Sequence, residues 1–134
     1  DESESRGLGD VYKRQSFRAQ VEQAGASGRV LGLDGRLFPV RSAHKAVNTV
    51  IQGAGAIACK VWLRNMIRHI YQKGLDVNLV ASIHDEYQFE VNKNDVQKMG
   101  EVVKLSINET TEQLNLKCPL DAEFKIGSNW AETH

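Results

Sequence analysis

Between about Ala46 and Gln72 apolar residues recur at helical spacing: Val47, Val50, Ile51, Ala54, Ile57, Ala58, Val61 and Met66 fall largely on one side. Gly74 supplies a C-cap for that helix. The stretches on either side read as β-hairpins. Upstream, "RVLGLDGRLFPV" sets two apolar runs around Asp34-Gly35, a turn whose two residues must both accept positive φ. Downstream, "LVASI" and "YQFEV" read as strands, and in the second Tyr87, Phe89 and Val91 alternate with Gln88 and Glu90. A second helix is expected from about Asn94, with Gln97 three residues on forming a capping box. It continues through Val96, Met99, Val103, Ile107 and Leu114. "LDAEFKI" alternates strictly and is expected to be a final strand. Hairpin, helix, hairpin, helix, strand makes an α+β class: an antiparallel sheet backed by helices.

A chain of 134 residues is one domain's worth or a piece of a larger one. Its 41% hydrophobic content can build a core, and no apolar run approaches the ~18 residues of a membrane span, so no membrane partner is expected. The opening "DESESRGLGDVYKRQ" has no initiator Met, apolar stretch, cleavage signal or hydrophobic periodicity. Residues 1–15 are therefore expected to be an extraneous or disordered tail on a chain truncated at its N-terminus, with 16–134 as the folded part. "GAGAIA" within the first helix is no phosphate loop, because no strand precedes it and no Lys-Ser/Thr follows. Its small residues read as room for a neighbouring helix. Cys59 and Cys118 lack metal-ligand spacing and read as free buried thiols of a reducing compartment.

Net charge is zero, but it is unevenly spread. Residues 28–75 carry eight Lys/Arg against Asp34 alone, whereas residues 76–134 carry five basic against eleven acidic residues. That asymmetry suits a surface with one part for phosphates and another for cations or water.

The chemistry-bearing stretch is "SIHDEYQFEV", where His84, Asp85 and Glu86 sit between two apolar runs. Strand alternation would aim Asp85 to one side and His84 and Glu86 to the other unless a turn bends the backbone there, and an ordinary solvated turn is the equal alternative to a site. One Asp can ligate a hard cation but cannot build a carboxylate cage, so the stretch resembles half of a Mg²⁺ site. In the preceding helix His44, Asn48 and Gln52 are spaced i, i+4, i+8, which makes one polar row. Asn and Gln amides can donate to purine N3 and pyrimidine O2 in the minor groove, acceptors that every correct base pair presents. Arg36, Arg41 and Lys45 nearby could hold phosphates.

"GLDGRLFPVRSAHKAVNTVIQGAGAIACKVW", then "SIHDEYQFEV", then "LDAEFKIGSNWAETH" resemble the C-terminal palm of family A (Pol I-like) DNA polymerases, with the phage replicative enzymes as the nearest type. The resemblance covers about residues 16–134. It implies a DNA-directed DNA polymerase, a nucleotidyltransferase using two Mg²⁺ ions, with primer-template DNA and deoxynucleoside triphosphates as partners in the cytoplasm. By that resemblance Asp85 matches the motif C aspartate that binds the metal ions, and Glu86 its auxiliary carboxylate neighbour. His84 matches the residue at the primer terminus, and Asn48 and Gln52 match minor-groove contacts. His44 stands where many relatives have Arg. The family's other metal aspartate and its nucleotide-binding helix are not found here and would belong to an upstream part of the same chain. The isolated chain is therefore expected to be inactive.

Two other classes compete. A non-catalytic duplex DNA-binding module would use the basic half and the polar row, and would bind without Mg²⁺. A small metal-dependent hydrolase centred on residues 84–86 would need further ligands, and His69 and His134 have no ligand spacing relative to His84. Asp34, Asp76 and Asp121 read as turn, loop and strand edge rather than as a second metal ligand.

Overall fold

The helix expected from Ala46 to Gln72 forms with those bounds. In the computed structural model, which describes the backbone of residues 2–134 and the side chains of residues 10–134, α2 spans Ala46–Gln72. It ends in a Schellman motif. Gly74 takes φ 62°, its N–H donates to the Tyr71 carbonyl (3.2 Å), and the Leu75 N–H donates to the Ile70 carbonyl (3.0 Å). The other elements are α1 (Glu2–Gly25), β1 (Arg29–Leu31), β2 (Leu37–Pro39), β3 (Val77–Ile83), β4 (Glu86–Val91), α3 (Val96–Gln113) and α4 (Trp130–Thr133). The α+β expectation holds as helices with small antiparallel sheets: β1 pairs β2, and β3 pairs β4. The chain divides into two compact units, residues 1–57 and 58–134.

In the first unit, the segment expected to be an extraneous or disordered tail is helical from Glu2, as part of α1. Residue 1 lies outside the described residues. Helix formers such as Arg, Gln, Glu and Ala dominate residues 18–24, and Arg18 Nε donates to Glu22 Oε1 at 2.9 Å, one turn on. The side chains of residues 10–20 are all exposed, in keeping with the missing apolar periodicity. Val21 then packs with Phe38 and Val50 against a small core of Val30, Val40 and Ala46.

The first hairpin has its strands in the register Val30↔Phe38, but its turn differs from expectation. Gly35 takes φ 88°, and Asp34 does not take a positive φ. Gly35 N–H donates to the Gly32 carbonyl, and Gly32 N–H donates to the Arg36 carbonyl. The loop is thus a turn over residues 32–35 closed by one left-handed glycine, not a two-residue Asp-Gly turn. The helix glycine also serves differently from expectation. A Cβ on Gly53 would lie 2.8 Å from the Phe38 ring, so the small residue admits a strand side chain rather than a helix.

In the second unit, Met66, Leu75, Met99, Val102, Val103 and Ile107 form the core, with Trp62, Tyr87, Phe89 and Val91 packed against it. Asn65, 1% exposed, donates to Thr110 Oγ1 (3.1 Å) and Gln113 Oε1 (2.9 Å), which fixes α2 on α3. By length and composition alone α2 could cross a membrane. Its Asn65 and Met66 side chains are buried.

Two expectations fail here. The Asn94/Gln97 capping box is replaced by a 3₁₀ turn, Lys93–Asp95, capped by Asn92, whose side chain accepts from the Asn94 N–H. The Asp95 carboxylate is drawn off to the Asp76 N–H (2.9 Å). The final strand over "LDAEFKI" does not form, because the segment bonds to side chains of α3 rather than to a ladder. Leu120 N–H donates to Thr111 Oγ1 (3.0 Å), and Lys104 Nζ donates to Asp121 Oδ1 (3.0 Å) and to the Ala122 carbonyl. The Phe124 ring lies over Gly100.

Candidate active site

Pairing of Ile83 with Glu86 leaves His84 and Asp85 as a two-residue turn. His84 takes φ 55° and Asp85 does not take a positive φ, the φ pattern of a type II′ turn. Strand alternation therefore does not govern residues 84–86: a turn bends the backbone there, and only Glu86 belongs to the ladder. All three side chains are exposed.

The turn end of this hairpin is fixed by aromatic residues. Tyr87 donates its hydroxyl to the Cys59 carbonyl of α2 at 2.9 Å, and its ring meets Trp62 at 5.6 Å. The Trp62 indole N–H in turn donates to the Val103 carbonyl of α3 at 3.4 Å. Partial burial raises the Tyr87 phenol. Burial likewise raises the Cys59 thiol, and the Asp85 charge raises it further. Both cysteines are free. Cys59 is half-buried, but Cys118 is exposed, contrary to the expectation of two buried thiols.

The two carboxylates of the turn differ. Glu86 Oε1 accepts from Gln88 Nε2 at 3.0 Å and from His134 Nε2 at 2.7 Å. Hydrogen bonds from Gln88 and then His134 hold its carboxyl below the usual carboxylate value. Asp85 has no hydrogen-bond partner among the described residues and is exposed. Among those residues no group of three or more His, Cys, Asp or Glu converges to hold a metal. One exposed carboxylate fits a Mg²⁺ ion that draws its other ligands from water and phosphate, and does not fit an all-protein cage.

The three aspartates weighed as a second metal ligand have partners elsewhere. Asp34 pairs with Arg36 (2.7 Å), Asp76 accepts from Asn92 Nδ2 (3.2 Å), and Asp121 pairs with Lys104. His69 Nε2 meets Glu109 Oε1 at 2.5 Å, and Arg68 also bonds Glu109.

In the first unit, Asn48 and Gln52 stand one turn apart on α2, both exposed. His44 lies in the 3₁₀ turn Ala43–Lys45 that leads into α2, so the expected helical row begins in a tighter coil. Arg41 and Lys45 are exposed, whereas the Arg36 guanidinium is engaged by Asp34.

Sequence reasoning set His134 aside as a metal ligand and gave it no link to Glu86. It lies 48 positions from Glu86, and no spacing rule connects them. The available signal was "WAETH", which puts Trp130 and His134 one helical turn apart; their rings stack at 4.3 Å.

Residues 20–132 match DNA polymerase family A. The chain is similar to the DNA-directed DNA polymerase of Escherichia phage Phieco32, with 37% identity over 122 residues covering 86% of this chain and 20% of that protein. It is also similar to the DNA-directed DNA polymerase of Enterobacteria phage T3, with 39% identity over 112 residues covering 78% of this chain and 16% of that protein. The structure of the POL domain of Pol1 from M. smegmatis in complex with DNA primer-template and dNTP aligns with a TM-score of 0.63 at 22% identity, over 72% of this chain and 19% of that one. At that identity the likeness is one of fold. The chain spans a fifth or less of the length of these phage relatives.

Proposed function

The chain belongs to DNA polymerase family A, and from that premise we propose that it is the C-terminal palm part of an enzyme of template-directed DNA synthesis. The observation that carries this reading is the uncommitted Asp85 at the tip of the β3/β4 hairpin, beside a Glu86 already bonded to Gln88 and His134. Asp85 would hold Mg²⁺. An ion held there would supply Lewis acidity towards the primer 3′-hydroxyl and positive charge for the departing pyrophosphate. Catalysis of this kind is mostly positioning and charge stabilisation, so the remaining roles are those of contact.

His84 would meet the primer terminus from the turn. Asn48 and Gln52 would donate amide hydrogens to minor-groove acceptors, which tests pairing without reading sequence. Arg41 and Lys45 would bind phosphates, with Arg36 contributing less while Asp34 holds it, and His44 extends the same surface. The second metal carboxylate and the nucleotide-binding helix would come from upstream sequence, so residues 1–134 alone should extend no primer. The partners are primer-template DNA and deoxynucleoside triphosphates in the cytoplasm of the host cell.

The test is a chimera in which residues 20–132 replace the matched region of the Phieco32 polymerase. It should extend primers, and Asp85→Asn should reduce single-turnover incorporation by orders of magnitude with little change in primer-template affinity. Glu86→Gln should do less. Near-normal turnover of the Asp85→Asn chimera, or extension by the isolated chain, would sink the reading.

A further inference from the structure

The β3/β4 hairpin is divided by its own register. Val77, Asn78 and Leu79 pair with Val91, Glu90 and Phe89; the ladder then shifts and resumes with Ala81 opposite Gln88. Val80, 65% exposed, is the extra residue of that bulge. A bulge interrupts the ladder and bends the strand, so the base of the hairpin does not by itself hold the tip. Beyond it three pairs remain: Ala81–Gln88, Ser82–Tyr87 and Ile83–Glu86. A two-stranded ribbon that short is marginal on its own in water.

Tyr87 ties this tip to the rest of the unit. Of the hydrophobic residues from 81 to 88 it is the one packed on the core, whereas Ile83 on the facing strand is 47% exposed. Its ring meets Trp62, and the Trp62 indole is held in turn by the Val103 carbonyl. The ring contact alone would let the tip slide along α2. The Tyr87 hydroxyl, donating to the Cys59 carbonyl at 2.9 Å, fixes one distance and one direction. Among the described residues, the other side-chain bond from the tip to a separate element joins Glu86 to His134, and both of those side chains are exposed. Consecutive strand residues face opposite ways, so that second tie does not duplicate the first.

We propose that Tyr87 is a positioning residue for Asp85. The Ile83–Glu86 pair closes the His84-Asp85 turn directly above the Ser82–Tyr87 pair, so fixing Tyr87 on α2 fixes the place at which the Asp85 carboxylate is presented. Without the hydroxyl bond the three-pair tip pivots at the bulge and spreads that carboxylate over a range of positions. Phosphoryl transfer depends on alignment and is sensitive to such a spread, whereas affinity for DNA is not. This inference rests on the reading of Asp85 as a metal ligand.

The experiment compares Tyr87→Phe, Asn65→Ala and Asp85→Asn in the Phieco32 chimera, with the Tyr87 variant also made in the 134-residue chain. Tyr87→Phe should lower single-turnover incorporation roughly ten- to a hundredfold at saturating nucleotide. The primer-template Kd and the half-saturating nucleotide concentration should stay at the parent values. Asn65→Ala removes buried bonds between α2 and α3 and none in the tip. It should unfold at lower urea than Tyr87→Phe yet incorporate faster, which a purely structural role for Tyr87 would not produce. In the 134-residue chain, ¹⁵N relaxation of Tyr87→Phe should show added motion at residues 84–86 and none at Val77 and Val91. Parent-like turnover or relaxation in Tyr87→Phe, a loss matched by Asn65→Ala, or a loss confined to DNA affinity overturns the positioning role and leaves Asp85 as the ligand. Near-normal turnover of Asp85→Asn overturns the ligand reading and the positioning role with it.

Discussion

Tyr87 donates its hydroxyl to the main-chain carbonyl of Cys59 at 2.9 Å, joining the start of β4 to α2 two residues past Asp85. Tyr87→Phe removes that bond and keeps the ring that meets Trp62. Stability of the chain should fall by about 0.5–1.5 kcal/mol, seen as a lower urea midpoint at constant slope. An unmoved midpoint would mean that the hairpin is held by apolar packing alone.

Asn65 is the buried polar link between α2 and α3, donating to Thr110 and Gln113. Asn65→Ala opens a small cavity and removes both bonds, while Thr110 keeps its own bond to the Ser106 carbonyl. The expected loss is about 2–3 kcal/mol. Urea unfolding followed by tryptophan fluorescence measures it, and a loss comparable to that of a surface substitution would refute the buried link.

Cys59 reports on Asp85. Burial raises its thiol and the Asp85 charge adds to that rise, so removing the charge should increase the thiolate fraction. In a Cys118→Ser background, Asp85→Asn should speed iodoacetamide alkylation of Cys59 at mildly alkaline pH. Glu86→Gln should change the rate less. Equal rates in the parent and the Asp85 variant would place the carboxylate beyond electrostatic reach of the thiol.

Three exposed carboxyls are lowered in the fold. For Asp34, burial pulls upward but the hydrogen bonds and charge of Arg36 outweigh it; Glu86 is lowered by Gln88 and His134, and Asp121 by Lys104. A depressed folded value means that stability is present above the unfolded value of ~4 and is lost as pH falls through the folded one. The thermal midpoint should be level from about pH 7 to about pH 5 and decline below about pH 4. Glu86→Gln should remove part of that decline, and a midpoint insensitive to acid would contradict these pairings.

Gln52→Ala in the chimera should cost roughly 0.5–1.5 kcal/mol of binding at the primer end. Extension past a correct terminal pair should slow to a similar degree for all four base pairs, measured by single-nucleotide incorporation. A strong A·T or G·C preference would show that Gln52 reads sequence instead.

The elements made by local pattern were legible in the sequence. Helix α2 follows from its apolar spacing and from Gly74, and both hairpins follow from paired apolar runs around short polar turns. What failed depended on partners distant in sequence. "LDAEFKI" has strand alternation, yet a strand also needs a neighbour, and Lys104 and Thr111 of α3 take its polar groups instead. The Asn94/Gln97 box lost to Asn92, which reaches the same N–H from two residues upstream. At the site, the turn and its residue types could be read directly. The pairing of Glu86 with His134 could not, because tertiary folding rather than spacing brings them together.

His84 holds its left-handed conformation as a residue with a Cβ, at φ 55°. That geometry costs an L-residue about 1–2 kcal/mol relative to glycine. The most relaxed version of the hairpin tip would therefore carry glycine there, and selection for thermal robustness alone would drift towards it. Any easy route to a sturdier hairpin runs through the loss of its imidazole.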